Sequence, residues 1–267
     1  MLRYPKIDPT VFSIGPISVH WYGLMYLLGF LSAWLLGRYR AVKSRSGWTG
    51  AMVDDLVTFC VLGVVLGGRI GYVLFYDLPF YLKNPEQIFA IWNGGMSFHG
   101  GLLGVIFCFW LFARKYKLTV YQVGDFISPM VPPGLFFGRL GNFINAELWG
   151  RKTTAFTGMV FPGGGPYPRH PSQLYEAALE GLLLFIILWI YSAKPRPTRA
   201  VSGMFLIFYG IFRFIVEFFR EPDAQLGFIA FNWLTMGMLL CVPMVLFGIY
   251  LVQLAYKKKE YPSPNRK

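Results

Sequence analysis

Charge is what this chain has least of. Only 14% of its 267 residues are charged, against 55% hydrophobic and 19% aromatic, a balance that excludes an ordinary soluble domain. Cysteine is scarce as well. Cys60, Cys108 and Cys241 each lie inside an apolar run, no pair has metal-ligand spacing, and none has the polar surroundings that would generate a thiolate. The sequence has no G-x-S-x-G elbow, no H-E-x-x-H, no P-loop and no Cys/His array. No metal and no cofactor are therefore expected, and no side chain reads as a nucleophile beside a base. An enzyme with this inventory positions two substrates and stabilises a leaving phosphate, without a covalent intermediate. No internal repeat is visible, which argues against two inverted transporter halves. The first residues do not resemble a cleavable signal peptide, because Arg3 and Lys6 are followed by Pro, Asp and Gly and the first apolar run is of full membrane length.

What is present is a succession of long apolar runs, with a mean hydropathy of +0.47. They predict an all-α integral membrane protein of about seven transmembrane helices, each near 20 residues. The runs fall near 19–37, 56–76, 96–113, 121–141, 173–192, 202–219 and 232–256. Pro129, Pro132 and Pro133 interrupt the fourth, a break tolerated only where neighbours satisfy the freed carbonyls. The net charge of +12 is concentrated in short loops rather than in a nucleic-acid face, so no nucleic acid is expected as a partner. Arg38, Arg40, Lys43 and Arg45, then Arg114, Lys115 and Lys117, then Lys194, Arg196 and Arg199, and finally Lys257, Lys258 and Lys259 follow alternate spans. The intervening loops carry Asp77, Glu86, Glu221 and Asp223. By the positive-inside rule the N-terminus is expected outside, on the periplasmic side, and the C-terminus in the cytoplasm. The basic tail from Tyr256 to Lys267 is expected on the cytoplasmic lipid surface. The chain reads as a single transmembrane domain over residues 1–267, with a periplasmic head at 143–171 between the fourth and fifth helices. In that head Gly163-Gly164-Gly165-Pro166 reads as a flexible turn, and Trp149, Phe156 and Phe161 as surface-resting aromatics.

This topology gathers the awkward polar residues in the outer half of the membrane. The most concentrated stretch is Gly138-Arg139-Leu140-Gly141-Asn142-Phe143-Ile144-Asn145-Ala146-Glu147-Leu148-Trp149-Gly150, which brings a cation, carboxamides and a carboxylate to the end of an apolar segment. Such groups are costly at a bilayer edge unless paired, hydrated or used. On a helix Tyr209, Arg213, Glu217 and Arg220 share a face. Either Arg213 and Glu217 merely neutralise each other, or the spare positive charge joins Arg139 in a cluster fit to grip a phosphate. Arg69 stands in Gly67-Gly68-Arg69-Ile70-Gly71, where it either binds lipid phosphate or pairs with an acid such as Glu180. Gly63, Gly67 and Gly71 invite close packing of a partner helix. His99, beside Gly100 and Gly101, is either a general base or a histidine bonded to a helix carbonyl. Tyr22 and Tyr26 suit an aromatic belt as well as a site. Asp125 reads as a cap, and Gln173, Glu176 and Glu180 as a structural polar stripe.

Six segments together resemble the bacterial prolipoprotein diacylglyceryl transferases. They are His20-Trp21-Tyr22-Gly23, Gly67-Gly68-Arg69-Ile70-Gly71-Tyr72, Gly95-Met96-Ser97-Phe98-His99-Gly100-Gly101, the strip at 138–150, Arg169-His170-Pro171-Ser172-Gln173-Leu174-Tyr175-Glu176, and Phe212-Arg213-Phe214-Ile215-Val216-Glu217-Phe218-Phe219-Arg220. The resemblance implies transfer of the sn-1,2-diacylglyceryl group of phosphatidylglycerol to the lipobox cysteine of a prolipoprotein signal peptide, with a thioether formed and glycerol 1-phosphate released. It implies a multi-pass protein of the bacterial inner membrane among membrane lipids, working at the periplasmic leaflet. Under it, Arg139 and Arg213 hold the phosphate, and His99 or Tyr22 assists the thiol. Asn142, Glu147 and Gly150 shape the head-group pocket and Glu217 orients Arg213. Arg69, Tyr209, Arg220, Gly100 and Gly101 complete the expected substrate contacts.

Overall fold

A computed structural model describes residues 2–5, 7–15, 17–43, 47–222 and 227–262. Lys6, Arg45, Asp223 and the basic tail beyond Pro262, all invoked above, lie outside the described residues. The chain is mostly helical. Its elements are a hairpin of β1 (Thr10–Ile14) and β2 (Ile17–His20), then helices α1 (Trp21–Lys43), α2 (Gly50–Phe75), α3 (Leu78–Lys83), α4 (Phe98–Lys115), α5 (Val120–Ile127), α6 (Val131–Ile144), α7 (Ser172–Tyr191), α8 (Ala200–Glu217) and α9 (Met236–Lys258). Among the described residues five helices, α2, α4, α7, α8 and α9, are long and apolar enough to cross a membrane. Helix α1 has the length, but Trp21, Tyr22, Tyr26, Trp34 and Arg38 dilute its hydropathy. The proline-rich fourth run is discontinuous: α5 gives way to a tight turn at Ser128–Met130 before α6 resumes.

The described residues divide into two compact units, the first within Met1–Gly37 and Gly124–Ser263, the second within Arg38–Val123. In the first, Leu184, Leu188 and Phe212 form an apolar core against which Tyr209 packs. Midway along α7 the backbone widens into a π-helical stretch, Ala177–Leu183. Asp125 caps α8 from a distance. It accepts from the Arg199 amide at 2.6 Å, the Ser202 amide at 2.8 Å and the Ser202 hydroxyl at 2.7 Å. The segment after α6 is pinned by short backbone bridges, including the Met159 and Arg169 amides bonded to each other's carbonyls at 2.9 and 2.8 Å. The expectation for its aromatics holds only in part. Phe156 is 79% exposed, but Phe161 is 2% exposed, packed between Tyr4, Phe143 and Trp149. Burying three aromatic neighbours around one ring outweighs resting that ring on a surface.

In the second unit α2 and α4 meet along the glycines that the four-residue spacing singled out. A Cβ on Gly67 would lie 2.4 Å from the Gly100 carbonyl oxygen, and one on Gly71 would lie 2.7 Å from the Gly100 Cα. Such contact gives close backbone packing without relying on a water-driven hydrophobic effect. At the far end of these helices Lys115 and the Tyr116 hydroxyl both donate to Asp55, and Trp48 stacks on Phe112 with centroids 5.6 Å apart.

Candidate functional site

In the first unit the buried charges converge on Glu176. One of its oxygens lies 2.7 Å from Arg139 Nε and 3.0 Å from Arg213 Nη1. Arg213 reaches Glu217 through Nη2 at 3.0 Å and stands 3.7 Å from Glu180. Arg220 lies 3.6 Å from Glu217, which also accepts from the Thr235 hydroxyl at 3.1 Å. Glu176 and Glu180 are both 0% exposed. The spare positive charge expected from Arg213, Glu217 and Arg220 alone is thus met from another helix. α7 supplies two carboxylates, and Glu176 is the bridge of the network instead of part of a passive stripe. Arg139 Nη2 makes no hydrogen bond or ion pair among the described residues, and neither oxygen of Glu180 accepts a hydrogen bond there. Donor capacity therefore remains beside a carboxylate pair, the composition of a site that can exchange one anion for another.

The strip after α6 extends this network. Arg139 Nη1 donates to Asn142 Oδ1 at 3.3 Å, and Asn142 Nδ2 donates to Glu147 Oε1 at 2.8 Å. Asn145 reaches the same oxygen at 3.4 Å, while Gln173 Nε2 donates to the Glu147 carbonyl at 2.6 Å. Ala146 and Leu148, on either side of Glu147, adopt φ of 54° and 56°, a left-handed conformation costing such residues about 1–2 kcal/mol each. The strain aims Glu147 into a cleft of about 720 Å³ lined also by Asn145, His20, Tyr22, Leu24 and Leu27. The Tyr22 hydroxyl bonds that of Tyr26 at 3.2 Å.

Gly150 is required by close approach. A Cβ there would lie 2.3 Å from the Phe219 carbonyl oxygen, and its amide donates to His170 O at 2.8 Å. Arg151, which carried no expectation, donates to the carbonyls of Arg220 at 2.8 Å and Glu217 at 3.0 Å and so caps the end of α8. His170 packs on Phe219 and Tyr175, and burial pushes its imidazole below the ordinary histidine range. Tyr4, whose hydroxyl donates to Phe143 O at 2.7 Å and Ile144 O at 2.9 Å, closes the end of α6; burial raises its phenol.

The second unit holds His99, Gly100, Gly101 and Arg69. His99 is the second residue of α4, exposed, with its ring edge-on to Phe98 at 5.6 Å; no hydrogen bond joins that ring to a described residue. Arg69 is 5% exposed and does not pair with Glu180. Its Nε donates to Ile88 O at 2.8 Å, Nη1 to Gly94 O at 2.6 Å and Gly95 O at 3.0 Å, and Nη2 to Gln87 O at 2.5 Å and Ala90 O at 3.3 Å. All five donors of the guanidinium are occupied. Only the spacing of Gly94-Gly95 after Arg69 offered a signal for this cage.

The family model described as prolipoprotein diacylglyceryl transferase matches residues 9–254. The phosphatidylglycerol–prolipoprotein diacylglyceryl transferase of Oleidesulfovibrio alaskensis is 65% identical over 260 residues, 97% of each chain. Its namesake in Nitratidesulfovibrio vulgaris is 64% identical over 253 residues, 95% of this chain and 96% of that one. The one from Pseudomonas aeruginosa is 58% identical over 258 residues, 97% of each.

Proposed function

The chain belongs to the prolipoprotein diacylglyceryl transferase family, and on that premise we propose how its residues divide the reaction. It is a transferase that moves the diacylglyceryl group of phosphatidylglycerol to prolipoprotein. The acceptor is the lipobox cysteine thiol of the signal peptide. The thiol loses its proton, the thiolate sulfur attacks the glyceryl carbon that bears the phosphate, a C–S bond forms and the C–O bond breaks. The electron pair leaves on oxygen, so a phosphodiester carrying one negative charge departs as glycerol 1-phosphate carrying two. Charge thus accumulates on phosphate, and that is where stabilisation accelerates the step.

The observation that carries the assignment is the pair of guanidinium groups, Arg139 and Arg213, sharing one oxygen of Glu176. The lipid phosphate takes up the free donors of Arg139 and shares Arg213, while Glu217 orients Arg213 as its i+4 partner. Asn142 donates to the glycerol hydroxyls and the Glu147 carboxylate accepts from them at the cleft beside Tyr22. His99 is the acceptor for the thiol proton, a role suited to a neutral imidazole near neutral pH. The protein is a multi-pass resident of the bacterial inner membrane, the N-terminus and the 143–171 head on the periplasmic side, with seven spans counted through α1 and the broken α5–α6 segment.

The test uses purified protein, phosphatidylglycerol and a lipobox peptide, following glycerol phosphate release and peptide mass together. Release that requires the peptide cysteine and matches a diacylglyceryl gain in mass is expected. Lipid binding without release or mass gain, where one of the named relatives turns over, would reduce the site to a lipid carrier.

A further inference from the structure

We propose that Arg69 is a positioning residue for His99: its guanidinium fixes the segment over 87–97 that determines where α4 begins. The proposal rests on the reading of His99 as the thiol's proton acceptor and goes beyond it. Arg69 gathers five carbonyls from the residues that precede α4. Two of them come from Gly94 and Gly95, whose φ of 81° and 77° turn both carbonyls toward Nη1. A side chain at 95 is excluded, since its Cβ would lie 2.8 Å from Arg69 Nη1 and 2.8 Å from the Tyr72 ring. The Tyr81 ring closes the cage at 5.1 Å from the guanidinium carbon.

The neighbouring residue of α2 completes the clamp. The Ser97 amide donates to Gly68 O at 2.9 Å, and the Ser97 hydroxyl accepts from the Gly100 amide at 3.1 Å, capping α4. Gly68 and Arg69 thus hold the last residues before the helix from both sides. His99 follows two residues later, and its ring has no hydrogen bond of its own to a described residue. Its position is inherited from the backbone at 97–100. A lysine at 69 would keep the charge but offer three rotatable donors in place of the planar fork, too few for five carbonyls.

The experiment uses the full-length protein in lipid nanodiscs containing phosphatidylglycerol. Arg69→Lys should lower kcat roughly 10- to 100-fold, as a misplaced catalytic group does, with KM for the lipid within about twofold. Amide exchange over 95–101 should accelerate about tenfold or more while α7 is unchanged. Gly95→Ala, which removes no donor, should reproduce both effects. In a His99→Ala background, adding Arg69→Lys should change the residual rate by less than about twofold. Unchanged exchange at 95–101, a raised KM with intact kcat, or an undiminished loss in the His99→Ala background would each overturn the proposal. A His99→Ala protein at wild-type rate would instead remove the proton-acceptor reading, and the exchange comparison would still decide whether Arg69 holds the start of α4.

Discussion

Arg139 and Arg213 in the first unit are neutralised by carboxylates, whereas Arg69 in the second gives its hydrogen bonds to backbone carbonyls. The two solutions differ in what they permit. A carboxylate partner is itself an anion, so a phosphate presents the same oxygens and the same charge sign to the same fork. A ring of carbonyls is a set of fixed dipoles attached to its own chain. Displacing it would leave up to five acceptors unpaired, at about 1–3 kcal/mol for each that stays buried. Arginine partnered by acids is exchangeable; arginine partnered by backbone is structural.

The contrast breaks most visibly through turnover. Arg139→Ala should lower the transfer rate about 10²- to 10³-fold while the protein still folds, because Glu176 keeps Arg213; retained activity would remove Arg139 from the mechanism. Arg69→Ala should act in the opposite register, lowering unfolding stability by at least about 3 kcal/mol, read as a fall in the thermal midpoint in detergent. An Arg69→Ala midpoint equal to the parent's would dissolve the distinction. Next in size, Asp125→Ala removes three hydrogen bonds from the start of α8 and should cost about 2 kcal/mol, with KM unaffected. Ala146→Gly should raise stability by about 1 kcal/mol by relieving a left-handed residue; a lower midpoint would show that the strain beside Glu147 is not local. The smallest effect is the pH response of His170. Its folded imidazole is held below the ordinary range, so its contribution to stability is full above the unfolded value and fades as pH falls through that value and below. In His170→Gln this part of the acid-side decline of the midpoint should vanish.

How much of this was legible beforehand depends on sequence distance. The membrane character, the interruption by Pro129, Pro132 and Pro133, and the tight face of Gly63, Gly67 and Gly71 all follow from local composition or spacing, and the structure bears them out. The shared face of Tyr209, Arg213 and Glu217 was readable because one helix carries it. The bridging role of Glu176 was not, since each arginine it meets lies 37 positions away, at 139 and at 213. Nor was the π-helical widening after it, which no residue of Ala177–Leu183 announces. Ala146 and Leu148 gave no warning either, because left-handed backbone at non-glycine residues is imposed by surroundings that hold Glu147 on both sides.

The glycine contacts between α2 and α4 carry one more implication. Where a mere Cβ on Gly67 would sit 2.4 Å from the Gly100 oxygen, and one on Gly104 2.2 Å from the Gly63 oxygen, no methylene chain can slide between the two helices. That seam is a closed wall to lateral traffic. A two-tailed lipid therefore cannot enter the second unit through that seam.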